Sequence, residues 1–174
     1  MGSRPFVTIE RIDPDLVSDE RTMLRQWLDY HRATLAVKCD GCTDDQLRSR
    51  STEPSTMSLL GLVRHMAEVE RSWFRRVMNR EDAPARYYDD QNPDGDFDDV
   101  DGADVEEAFT YWYDECANAR KIEESFDSLD ALGVHRVHGE VSLRWVMVHM
   151  IEEYARHNGH ADLIRERIDG ATGD

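Results

Sequence analysis

Glu153 and His157 stand four residues apart in a stretch with a helical repeat. At that spacing two side chains lie one turn apart on one face of a helix. The face reads Leu143, Met147, Met150, Tyr154, His157, Ala161, Ile164 and Ile168, so His157 falls in the middle of an apolar seam. A strip slightly around the cylinder reads Val146, Met150, Glu153, His157, His160 and Ile164. A carboxylate and two imidazoles therefore point toward an interior. Burying an unpaired carboxylate costs several kcal/mol or drives it to take up a proton. A cation is the simplest compensation, and donors one turn apart can share an ion held about 2.0–2.2 Å from each.

A helical interior recruits its remaining ligands from a facing helix. His65, next to Leu62, Met66 and Val69, is the best placed candidate. His31 lies within another apolar stripe, between Trp27 and Leu35, while His149 precedes Glu153 by four residues and His160 follows His157 by three. Each histidine taken alone also reads as a core or boundary residue paired with an acid or an arginine. Glu153 could likewise bridge to Arg156 or Arg64. Spacing by itself leaves both readings open.

Four segments carry the helical period that must position these groups. The first runs from about Ser18 to Cys39, with Met23, Leu24, Trp27, Leu28, His31, Leu35 and Ala36 as its stripe, Ser18 as its cap and Gly41 as its stop. Thr43 followed by Asp44, Asp45 and Gln46 reads as the capped start of a short extra turn. The second helix follows Pro54, capped by Ser55 or Ser58, with Leu59, Leu62, Val63, Met66, Val69, Trp73 and Val77 facing inward. Between Pro84 and Gly102 the period vanishes and aspartates crowd in, which reads as a long loop. The third helix runs from near Asp104 to near Phe126, burying Val105, Ala108, Phe109, Trp112, Cys116, Ala119 and Ile122. Leu132 to Val141 reads as either a hairpin or an irregular connection. The fourth helix starts at the cap Ser142 and runs to about Ile168, before Gly170. Four long amphipathic helices without sustained β alternation indicate an all-α bundle.

Composition sets the outer limits. A chain of 174 residues suits one domain, 1–174. A domain of this size buries about 70% of the surface its unfolded chain exposes. Twenty-one basic against 37 acidic residues give a net charge of −16, which argues against nucleic acid and anionic membranes as partners. No run approaches the roughly 20 apolar residues of a membrane span. Met1 to Asp19 mixes charges and prolines without an apolar core, so the cytoplasm is the expected compartment. Three cysteines are too few for a disulfide scaffold.

The segment Glu152-Glu153-Tyr154-Ala155-Arg156-His157-Asn158-Gly159-His160-Ala161-Asp162-Leu163-Ile164-Arg165-Glu166 resembles the last-helix motif of the DinB-like superfamily, in its actinobacterial branch. That branch contains the mycothiol-dependent enzymes, maleylpyruvate isomerase among them, and the likeness extends through Trp27 to Leu47 and Ser58 to Arg76. The resemblance implies an up-down-down-up DinB-like four-helix bundle, with a long connection between helices two and three, holding one divalent metal. Carried over by motif, the ligands are His65, Glu153 and His157; His160 belongs to the motif behind them, and His149 and His31 acquire no ligand role. Zinc is the metal the family implies, although mixed imidazole and carboxylate ligands also suit nickel, iron or manganese.

Two histidines and one glutamate leave a coordination position open. The resemblance implies that this position accepts mycothiol, held as the nucleophilic thiolate, which attacks an electrophilic carbon of a second substrate. The expected function is thus a mycothiol-dependent S-transferase or a thiol-dependent isomerase. The alternatives are a non-catalytic DinB-like metal-binding protein and a metal-dependent hydrolase. Arg64, Arg144 and Arg156 could serve a polar thiol, and DinB-like proteins are often homodimers.

Cys39 and Cys42 form a C-x-x-C at a helix C-terminus, where packing is the simpler role than redox chemistry, and Cys116 reads as core. Asp94, Asp96 and Asp98 suggest calcium, but Asp99 stands where an EF-hand needs glycine, so the loop reads as solvated. Tyr87, Tyr88 or Phe97 on that loop could cover the metal, and Trp73, Trp112 and Trp145 read as core.

Overall fold

The computed structural model describes residues 10–172; residues 1–9 and 173–174, part of the single-domain span 1–174, lie outside it. Helix α1, Glu20–Cys39, is capped by Asp19, one residue beyond the expected Ser18, because the Asp19 carboxylate accepts from the Thr22 N–H. Helix α2, Asp44–Arg48, carries the full capping box of Thr43 and Gln46. Helix α3, Leu59–Glu70, starts at the Ser58 cap and continues as a π-helical segment, Arg71–Met78. Helix α4 is the short Gly95–Asp98. Helix α5 spans Val105–Glu124 behind its Asp104 cap. Strands β1, Leu132–His135, and β2, Gly139–Ser142, form an antiparallel hairpin with Leu132 opposite Ser142. Helix α6, Leu143–Asp169, begins at the Ser142 cap and ends at Gly170 in the left-handed conformation.

The described chain is therefore mostly helical, with the hairpin as its small β component. Helix α1 packs along α6 and α3 packs along α5, while α3 also meets α6. The core they enclose contains Leu35, Leu62, Met66, Phe74, Trp112, Met147, Met150 and Tyr154. The hairpin leans on the π-helical segment, with Gly133 so close that a Cβ there would sit 2.7 Å from the Val77 carbonyl oxygen.

Two expectations about packing need correction. Trp27 and Trp145 are 41% and 46% exposed, not core. Each stands one position from a buried leucine or valine (Leu28, Val146), and about 100° of helical rotation carries it off the buried face. The second helix also departs from a uniform α repeat: Trp73 is only half-buried, whereas Phe74, Val77 and Met78 are buried. A π turn accommodates more than 3.6 residues, so the inward face shifts along the sequence.

Inside the core lies a polar network that the apolar stripes hid. Glu70 is fully buried and receives Arg32 on both oxygens, Nε at 2.7 Å and Nη2 at 2.8 Å. The Tyr154 hydroxyl donates to Glu70 Oε1 at 2.8 Å and accepts from Trp112 Nε1 at 2.9 Å. Cys116 Sγ lies 3.6 Å from the same oxygen, and burial, reinforced by Glu70, pushes its thiol pKa up. Glu70 follows Met66 by four residues and Val63 by seven, so its inward position was legible in the stripe.

Candidate metal centre

Helices α3 and α6 bring His65 against His157, with ring centroids 4.7 Å apart. One ligand atom each from His65, Glu153 and His157 lies within 4.8 Å of the others. His157 Nε2 is 3.6 Å from Glu153 Oε2. Two donors on a tetrahedral ion at about 2.0–2.2 Å lie about 3.3–3.6 Å apart, so this separation suits a shared metal. His157 is 9% exposed, and burial first, then the nearby His65, His160 and Arg156, pushes its pKa down to about 4. It is neutral at physiological pH, the form that ligates.

Both imidazoles are held from behind. His65 Nδ1 is 2.8 Å from Asp96 Oδ2, which leaves Nε2 as the nitrogen that can ligate. His157 Nδ1 faces His160 Nδ1 at 3.3 Å, leaving Nε2 toward Glu153. A carboxylate on the far nitrogen fixes a histidine's tautomer and raises its basicity as a ligand. Asp96 is 5% exposed, and its second oxygen accepts from the Phe97 N–H at 3.0 Å. Phe97 then stacks on His65, centroid to centroid 4.7 Å.

The acidic loop is thus not uniformly solvated: Asp96 and Gly95 are buried against α3. Gly61 of α3 and, one turn on, Arg64 and His65 make its seat. A Cβ at Gly61 would lie 3.2 Å from the Phe97 ring, Arg64 donates to the carbonyls of Asp99 and Gly95, and His65 takes Asp96. Asp96 could not be singled out among its neighbouring aspartates, since nothing in the spacing distinguishes it. Of the three aromatic residues Tyr87, Tyr88 and Phe97, Phe97 stacks on His65, while Tyr87 bonds Glu107 and Tyr88 accepts from Arg76.

Glu153 faces imidazoles rather than arginines. His149 Nε2 is 3.4 Å from Glu153 Oε1, on the side away from His157 Nε2 at Oε2. Arg156 pairs with Glu152, and Arg64 is spent on the loop carbonyls. Arg144 bonds Glu20 and Asp130, so the three arginines considered for a thiol are all engaged. His149 falls in a second acidic group with Glu152 and Glu153. His31 lies apart, its backbone carbonyl accepting from Asn158 at 3.0 Å. Cys39 and Cys42 are buried thiols in the core. A cavity of about 660 Å³ opens elsewhere, between α1 and α5, lined by Ile12, Tyr30, Trp112, Tyr113 and Cys116.

A mostly helical fold that converges two oriented imidazoles and a carboxylate across two helices defines a helical protein with a metal-capable centre. Residues 23–170 match the model of the Mycothiol-S-transferase family. The chain belongs to that family, within the DinB-like group. Its fold is similar to that of a conserved protein from Enterococcus faecalis known from a crystal structure, with a TM-score of 0.64 and 15% identity over 89% of this chain and 100% of that one. No curated protein matches the chain. Among the described residues, no helix is long and apolar enough to cross a membrane.

Proposed function

We propose that this chain is a metal-dependent mycothiol S-transferase: one domain, 1–174, built as a DinB-like four-helix bundle from α1, α3 with its π-helical continuation, α5 and α6. His65, Glu153 and His157 hold one divalent metal, zinc in the first instance, and the compartment is the cytoplasm. The observation that carries this reading is the convergence of one ligand atom each from His65, Glu153 and His157 within 4.8 Å, with Asp96 and His160 on the Nδ1 side of the two imidazoles. The family match supports a thiol, rather than water, as the reacting partner.

When bound, the metal supplies a Lewis-acid position that holds a thiol sulfur as thiolate at neutral pH. The chain's own residues prepare that position. Asp96 fixes the His65 tautomer, and burial keeps His157 unprotonated. Phe97 covers one face of His65 and excludes water from it. Glu153 contributes the one negative ligand charge, so the centre retains net positive charge to favour a thiolate over a thiol.

The test is elemental analysis of untagged protein purified without chelator, wild type beside His157→Ala, followed by mass-spectrometric detection of mycothiol conjugates with a panel of electrophiles. About one metal equivalent in wild type, lost in the variant, together with conjugates formed only by the metal-loaded protein, is the expected result. Absence of metal after zinc is supplied would overturn the reading. Metal without conjugation would leave a metal-binding bundle that is not a transferase.

A further inference from the structure

We propose that the cavity between α1 and α5 is a second ligand site, which takes one uncharged, flat, two-ring aromatic molecule. It lies on a helix pair that carries none of the proposed metal ligands, so it does not depend on the thiol-transfer reading. Its volume, about 660 Å³, falls within the range of small-molecule pockets, roughly 300–1,000 Å³.

The walls are apolar and largely aromatic: Ile12, Tyr30, Ala33, Trp112, Tyr113 and Cys116. Trp112 and Tyr113 form a tilted pair on one wall, with ring centroids 5.0 Å apart and planes at 31°. The polar groups that reach the cavity are already bonded within the chain. Arg32 gives Nε and Nη2 to Glu70 and Nη1 to Asp29, and Arg120 gives Nε to the same Asp29 oxygen at 3.0 Å. Arg25 is held by Glu123. Trp112 donates its N–H to Tyr154, so it offers a ligand its ring rather than a donor. Burial raises the Cys116 thiol pKa and keeps the sulfur uncharged. A charged ligand would therefore bury its charge without a partner, whereas a neutral ring system is driven in by its own apolar surface. Glu10 and Asp13, both exposed where they line the cavity, further oppose an anion.

The rim is built as well as the walls. The Gln26 side chain ties the segment before α1 to that helix through both ends of its amide. It accepts from the Asp15 N–H at 3.0 Å and donates to Asp15 Oδ2 at 2.9 Å. Arg11 lies over the Tyr30 ring, 5.1 Å from its centroid. These contacts flank Ile12, which lines the cavity yet is 69% exposed, an apolar side chain that an occupant would cover.

The probe is 2-naphthol, uncharged at pH 7, compared with 2-naphthoate and 2-naphthylmethylammonium, which carry the same ring system with a charge. Calorimetry on the full chain should show one 2-naphthol bound per chain, equally in metal-free and metal-loaded protein. Each ion should bind at least tenfold more weakly, equivalent to 1.4 kcal/mol. Of the four indole N–H signals, that of Trp112 should shift with 2-naphthol, while those of Trp73 and Trp145 should not. Ala33→Phe places a ring in the cavity and should weaken 2-naphthol at least tenfold with metal content unchanged. Either ion binding as tightly as 2-naphthol would overturn the assignment of a neutral ligand. An unmoved Trp112 signal in wild type would overturn the site itself. So would a Trp112 signal that moves with protein concentration alone, which would place a second copy over the mouth. Should Ala33→Phe fail to fold, the wild-type comparison of the three naphthalenes decides the matter by itself.

Discussion

Replacing Asp96 with asparagine isolates the charge behind His65. In the native protein Asp96 Oδ2 lies 2.8 Å from His65 Nδ1 and Oδ1 accepts from the Phe97 N–H at 3.0 Å. Asparagine keeps an acceptor for one of these and the side-chain shape, but not the negative charge that makes His65 the stronger base. Losing such a partner behind a ligating histidine typically costs ten- to a hundredfold in metal affinity, about 1.4–2.7 kcal/mol. Asp96→Asn should fall near the tenfold end. Asp96→Ala also abandons the Phe97 N–H and with it the stacking of Phe97 on His65, so it should approach a hundredfold. Chelator competition at pH 7.5 measures the metal Kd, and thermal unfolding of the metal-free proteins separates loop packing from ligation. An Asn variant that binds zinc within twofold of wild type would refute the reasoning, and a lowered metal-free Tm beside an unchanged Kd would reduce Asp96 to a packing residue of the loop.

Arg32→Met should destabilise the protein by about 3 kcal/mol, the lower end for breaking a buried pair, since Tyr154 still donates to Glu70. For a chain of this length that is about 6–12 °C in Tm, and adding Glu70→Gln to Arg32→Met should restore part of it. In metal-free protein His157 has a folded pKa of about 4 against 6.5 for an ordinary histidine. The unfolded chain therefore binds more protons between those values, and stability falls as pH drops from about 6.5 toward 4. Urea midpoints at pH 7 and pH 5 should differ more for wild type than for His157→Gln, and equal slopes would contradict this. Gly133→Ala forces a methyl against the Val77 carbonyl oxygen and Met78 Sδ, at 2.7 and 2.8 Å, and should cost about 1–3 kcal/mol in chemical denaturation.

What the sequence determined by itself was whatever short-range periodicity encodes. Helix α6 could be drawn to within a residue of its ends from Ser142 and Gly170, and the inward strip of α5 from Val105 to Ile122 needed only the 3.6-residue repeat. The geometry of Glu153 and His157 is of the same kind, because an i, i+4 pair is fixed by one helical turn whatever the rest of the chain does. The third proposed donor, His65, stood out only as a histidine beside a stripe, and the family resemblance rather than spacing singled it out. Its partner Asp96, 31 residues away, had no signature at all, since one aspartate in an acidic loop looks like the next until the loop docks on Gly61 and Arg64. The π-helical segment was equally invisible: a side-chain pattern read at one period cannot announce a local change of period, and in that segment Phe74, Val77 and Met78 are buried while Trp73 is only half-buried. Tertiary packing decided which polar groups meet, because those contacts join elements whose separation along the chain leaves no repeat to read.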